Sequence, residues 1–114
     1  MVRSFWKKAD SSWAVTVGAW EPDRKRIAEY SSRGPTDDGR HKPDLAAPTA
    51  VPCASYPDGF TGTSASAPHV AGALALLRQL NPSSGAEQLR EHLMKSLRPV
   101  PDAGGWVART PGKA

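Results

Sequence analysis

A single cysteine, Cys53, occurs in the 114 residues. No intrachain disulfide can form, and cysteine usage is silent on redox compartment. Flanked by Val51, Pro52 and Ala54, Cys53 is expected to be a buried structural thiol rather than a reactive one. Long apolar runs are missing too. The longest, VAGALALL (70–77), falls far short of the roughly 20 residues that cross a bilayer, so no membrane partner is expected. The opening MVRSFWKKADSSW has positive charge with no apolar stretch behind it and does not read as a signal peptide. Aromatic residues are only 7% of the chain, and the net charge of +4 comes from basic residues scattered from Arg3 to Lys113. The densest basic run, Arg24 to Arg26, sits beside Glu21 and Asp23, as a solvated turn would. A nucleic-acid interface gathers basic residues on one face with aromatics to stack, so no nucleic-acid partner is expected. There is no internal repeat.

What is present suits one globular domain, with 39% apolar and 23% charged residues. The 11 prolines fall between periodic segments and mark turns. WAVTVGA (13–19) reads as a buried strand and RIAEYSS (26–32) as a second. SSRGPTDDGRHKP (31–43) is a long polar loop, with Gly34-Pro35 its firmest turn signal. DLAAP (44–48) and AVPCA (50–54) read as brief strands interrupted by Pro48 and Pro52, and Pro52 argues against a central position. A helix follows Ser64. Val70, Leu74 and Leu77 lie on one stripe while Ala71, Ala73, Ala75 and Leu76 cover the other faces, which predicts a helix enclosed on every side. Pro68, near its start, cannot bond back to the Ser64 carbonyl, which predicts an irregular first turn. Asn81-Pro82 and a capping box over Ser84–Glu87 open a second helix, with Leu89, Leu93 and Leu97 on one face and Arg90, Glu91 and Lys95 off it. The expected organisation is a polar leader (1–12), a folded segment (13–97) and an irregular tail (98–114).

The chemistry centres on GTSASAPHVAG (62–72). A serine at a helix start has two readings. Thr63 or Ser64 caps the helix, as these residue types commonly do. Alternatively Ser64 is a nucleophile: the first helical N–H groups are unpaired and the dipole favours negative charge, so an oxyanion would be stabilised there. Gly62 allows close backbone approach, and Ala65 and Ala67 leave the approach uncrowded. A serine hydroxyl also needs a base to take its proton.

GTSASAPHVAGALALL resembles the nucleophile motif of the subtilases, the subtilisin-like serine peptidases. VTVGAW (15–20), YSSRGPT (30–36) and KPDLAAP (42–48) resemble further segments of that family, in the family's order, so the likeness runs from about Trp13 to about Leu97. It implies an α/β chain: a partial subtilisin-like fold with parallel strands and helices packed on the faces. It also implies that Ser64 forms an acyl-enzyme during peptide-bond hydrolysis, with its own backbone N–H as an oxyanion donor. Gly62, Thr63 and Pro68 complete the motif, and His69 matches a packed helix residue rather than the base. A glycine usually follows KPDLAAP, and this chain has Thr49.

The larger departure is an absence. In subtilases the catalytic aspartate and histidine precede the serine, and neither their motifs nor the asparagine that completes the oxyanion hole occurs here. The resemblance therefore implies the carboxy-terminal part of a catalytic domain, whose partners would be a peptide or protein substrate and the missing amino-terminal part. Extracellular location and a calcium ion are implied by the resemblance alone, with Asp44 matching a position near a weak cation site. No local histidine replaces the absent base. His69 lies five residues after Ser64 and points away on a helix, His92 sits among leucines and charges, and His41 belongs to a solvated loop despite Asp37, Asp38 and Asp44 nearby. In subtilisin, loss of the histidine costs about a millionfold in turnover and loss of the asparagine roughly a hundred- to a thousandfold. The isolated chain is thus expected to be inactive, and marginal or aggregation-prone without a complementary segment. Two alternatives stand beside this: a non-catalytic subtilase-like module serving binding or complementation, and a fragment of a sedolisin, whose serine motif is also similar. The hydrolase elbow Gly-x-Ser-x-Gly is absent, because Ser66 stands at the second glycine.

Overall fold

Small and β-branched residues build the central layer. In the computed structural model, which describes residues 11–100 and 108–111, strand β1 (Val17–Glu21) pairs in parallel with β3 (Leu45–Pro48), Val17 opposite Leu45 and Trp20 opposite Pro48. On its other edge β1 pairs antiparallel with β2 (Arg26–Ile27), giving the order β2-β1-β3. Successive side chains of β3 face opposite sides, as strand geometry requires. Leu45 and Ala47 join Val70 and Leu93 in the main core, while Ala46 joins Ile27 and Val100 on the opposite face. Gly18 in β1 is tightly packed: a Cβ there would stand 3.1 Å from Ser31 Oγ, which accepts the Ala19 N–H, and would have to push that side chain aside.

Two helices cover one face. Helix α1 (Thr63–Leu80) lies against β1 and β3, and α2 (Ala86–Lys95) lies against α1. The chain is α/β, in keeping with a partial subtilisin-like fold. A hairpin of β4 (Val51–Cys53) and β5 (Tyr56–Phe60) precedes α1. After α2, β6 (Leu97–Val100) pairs antiparallel with β7 (Ala108–Pro111). No described helix is long and apolar enough to cross a membrane.

Several expectations need correction. The first strand begins at Val17 rather than Trp13, because residues 11–14 form a turn with the Ala14 N–H on the Ser11 carbonyl, and Trp13 is 91% exposed. The second strand stops at Ile27 because the Ser31 N–H turns back to the Ala28 carbonyl. Cys53 is exposed, not buried, since it lies in a two-stranded ribbon that no described element covers on that side. Strand pairing between 97–100 and 108–111 replaces irregular chain in part of the tail. The second helix is capped one residue later than expected: the Gly85 N–H donates to Gln88 Oε1 at 3.0 Å. The leader up to Asp10 lies outside the described residues.

Helix α1 is not enclosed on every side. Val70 is buried and Leu74 and Leu77 pack against the core, but Ala67, Ala71, Ala75, Leu76 and Leu80 are exposed. Leu76 and Leu80 are 64% and 77% exposed.

Candidate active site around Ser64

Gly62 ends the hairpin and starts the helix. Its φ of 125° and ψ of 167° lie in a region open essentially to glycine. The Gly62 carbonyl accepts the Ala65 N–H at 2.9 Å and the Ser66 N–H at 3.4 Å, so the first turn is tight, in line with Pro68 nearby. Gly62 is thus the cap residue, and no side chain caps the helix. The reading of Thr63 or Ser64 as a cap is corrected: both lie inside the helix, at its first two positions.

Ser64 is exposed and its hydroxyl bonds to none of the described residues. The Thr63 and Ser64 N–H groups likewise have no partner among the described residues. No acidic residue sits in the first turn to compete for them. These two amides and the helix dipole form a local field suited to a developing negative charge. Beside them opens a pocket of about 230 Å³ lined by Val51, Pro52, Cys53, Phe60, Ser64, Ala65, Pro68 and His69. A larger cavity of about 520 Å³ lies between the β1–β2 turn and residues 49–52 and does not reach Ser64.

The histidines do not assemble around the hydroxyl. His69 Nδ1 lies 2.8 Å from the Ala65 carbonyl, which can only accept, so this nitrogen carries the proton and the ring is tied to its own helix. His41 is exposed and enters β3 at its Leu45 end, whereas the Ser64 turn meets the opposite end, roughly 13 Å of strand away. His92 is exposed on α2. Gly62, Thr63, Ser64 and Pro68 come together as one turn; His69 lines the pocket beside it, but no described imidazole hydrogen-bonds to the Ser64 hydroxyl.

Asp44 does not fit a calcium site. Its Oδ2 accepts the Thr16 N–H at 2.7 Å and Lys42 Nζ at 2.7 Å, and its Oδ1 accepts Arg90 Nη2 at 3.1 Å. Calcium takes six or more oxygens. Both carboxylate oxygens here already face cations, and no group of three or more His, Cys, Asp or Glu that could hold a metal exists among the described residues. Lys42 also donates to the Ala14 carbonyl at 2.9 Å and Arg90 to the Ser12 carbonyl at 3.2 Å, so the cluster ties the segment before β1, the loop before β3 and helix α2 together.

Sequence reasoning passed over three residues behind the serine. Tyr30, Thr49 and Ser66 hold Gly62 and the first turn from below. The one signal was Thr49 itself, standing where a glycine is usual.

The family model described as "Subtilase family" matches residues 4–110. Bacillopeptidase F of Bacillus subtilis (strain 168) is 34% identical over 84 residues, covering 69% of this chain and 6% of that protein. The minor extracellular protease Vpr of the same organism is 34% identical over 94 residues, covering 73% of this chain and 12% of its own length. Subtilisin BL of Lederbergia lenta is 38% identical over 84 residues, 70% of this chain and 29% of that protein. The chain therefore spans less than a third of each of these relatives. On the match across nearly its whole length, the chain belongs to the subtilase family.

Proposed function

We propose that this chain is the nucleophile-bearing segment of a serine-type endopeptidase and is idle on its own. The observation that carries this reading is the state of Ser64: exposed, at a helix start with two amides that have no partner among the described residues, beside a pocket, and with its hydroxyl hydrogen-bonded to no described base. In the complete reaction Ser64 Oγ bonds to the carbonyl carbon of a peptide, and its proton passes to an imidazole held elsewhere. The carbonyl oxygen becomes an oxyanion and accepts the Ser64 N–H. The same imidazole then protonates the leaving amine, and water releases the acyl group. Without that imidazole the hydroxyl stays protonated and the cycle does not start.

The partner that would supply it is a subtilase amino-terminal part. Three features support this. Leu76 and Leu80 are exposed on α1, the small residues Ala67, Ala71 and Ala75 leave a flat strip beside them, and β3 is an edge strand of its sheet. A relative named as an extracellular protease supports an extracellular site of action. Labelling with a fluorophosphonate, with Ser64→Ala as control, tests the reading. The chain alone should show no stoichiometric labelling, and adding an Asp- and His-bearing amino-terminal part should produce it. Stoichiometric labelling of the chain alone would overturn the idle state; none in either condition would overturn the nucleophile.

A further inference from the structure

Thr49 is fully buried, and its Oγ1 meets three atoms at once. It lies 2.9 Å from the Gly62 nitrogen, 3.1 Å from the Gly62 oxygen and 2.9 Å from the Tyr30 hydroxyl. The Tyr30 hydroxyl is itself 3.1 Å from the Gly62 nitrogen. One assignment of hydrogens satisfies all four contacts. The Gly62 carbonyl only accepts, so Thr49 donates to it. Tyr30 must then donate to Thr49, and the Gly62 N–H is shared between the two oxygens.

Gly62 is where such a hold matters. A glycine at φ 125° has more freedom to leave its conformation than any other residue would. Its carbonyl also receives the Ala65 and Ser66 amides, so the orientation of Gly62 sets the first turn of α1. A second tether lies beyond the serine: Ser66 Oγ donates to the Pro48 carbonyl at 3.1 Å. Ser64 sits between the two tethers, and both end on the adjacent residues Pro48 and Thr49.

We propose that Thr49, assisted by Tyr30, is a positioning residue that locks Gly62 and thereby holds the Ser64 hydroxyl and amide in register with a scissile carbonyl. This rests on Ser64 being the nucleophile. A glycine after Pro48, usual in the family, has no hydroxyl to offer, so the lock is a property of this chain.

The test uses Thr49→Val, which keeps the branched shape and removes the hydroxyl, and Thr49→Ser, which restores it. Two readouts separate the lock from the peptidase reading. The first is amide hydrogen exchange at Gly62 in the 114-residue chain, with Leu89 and Leu93 as internal controls. T49V should speed Gly62 exchange about five- to tenfold, the size expected for one net hydrogen bond, while the Leu89 and Leu93 amides hold their rates and T49S stays near wild type. Unchanged Gly62 exchange overturns the lock, and so does an equal rise at the controls, which would report general destabilisation. The second is the rate of fluorophosphonate labelling at Ser64 in a chimera that carries this segment in place of the matching part of subtilisin BL. T49V should label about five- to tenfold more slowly, again the size of one net hydrogen bond, with T49S restored. Faster exchange with unaltered labelling overturns the positioning role. A wild-type chimera that folds but never labels overturns the nucleophile instead, and leaves the lock to be decided by exchange.

Discussion

Replacing Asp44 with asparagine should be among the most damaging single changes in this chain. The side chains of Lys42 and Asp44 are 4% and 8% exposed, and their charged atoms are 2.7 Å apart. The asparagine keeps the size, and its amide oxygen in the place of Oδ2 still accepts the Thr16 N–H and Lys42 Nζ, but Lys42 is left as a buried ammonium without a counter-charge and the amide NH2 now faces Arg90. Breaking a buried pair from one side typically costs about 3–5 kcal/mol. A domain of 114 residues has about 6–17 kcal/mol in total at typical values per residue, so the loss is a large share of it. With m-values of about 1–3 kcal/mol per molar urea, the midpoint should fall by about 1 M or more, or the transition should vanish. Arg90→Met should cost less, about 1 kcal/mol or below, because the Arg90 side chain is 26% exposed and water screens it. The decisive comparison is the double variant Lys42→Met with Asp44→Asn. It removes the stranded ammonium and should regain about 1–3 kcal/mol relative to Asp44→Asn alone. If D44N unfolds within about 1 kcal/mol of wild type, where a broken buried pair predicts several, or the double variant is worse than the single, the cluster is not a buried electrostatic unit and the reasoning fails.

Gly62→Ala should destabilise by about 1–3 kcal/mol through backbone strain alone, since the new Cβ would meet only the Ser64 nitrogen, at an ordinary 3.7 Å; a circular-dichroism melt matching wild type would contradict the assigned φ. The Arg40 guanidinium, and next the Thr36 hydroxyl, hold the Asp38 carboxyl below its ordinary pKa. Its contribution is therefore fully present above the unfolded value and disappears as pH falls through the lower folded value. An NMR titration should place Asp38 below a free aspartate, and Asp38→Asn should flatten that small part of the acid dependence; a midpoint at or above the free value would refute the contact.

The helices were legible because periodic leucines and alanines leave few other choices. Val70, Leu74, Leu77, Leu89 and Leu93 do face inward. Of the ribbons only β4 was legible, since AVPCA (50–54) reads as a brief strand and Val51–Cys53 forms one; the hairpin and its second strand were not. β4 and β5 hold Pro52, Pro57 and Gly59, are largely exposed, and so carry no alternation to read. The same is true of Leu97–Val100, where Arg98 and Pro99 are exposed. Burial of Cys53 was inferred from apolar neighbours, yet no described element covers the ribbon on that side. At the site, Ser64 announced itself through a local motif. The Tyr30–Thr49–Gly62 contact did not, because its members are 13 to 32 residues apart in sequence and only the packing of β3 brings them together.

That contact has a corollary for the hairpin. The Thr49–Gly62 bonds and the Ala50 N–H on the Phe60 carbonyl pinch the ribbon shut at its root, so what happens at its tip, near Ala54 and Ser55, is mechanically insulated from the helix. Residues inserted or exchanged there would reshape the rim of the neighbouring hollow while the Ser64 hydroxyl stayed where it is. A scaffold of this kind lets the rim of a hollow vary while the turn behind it keeps its shape.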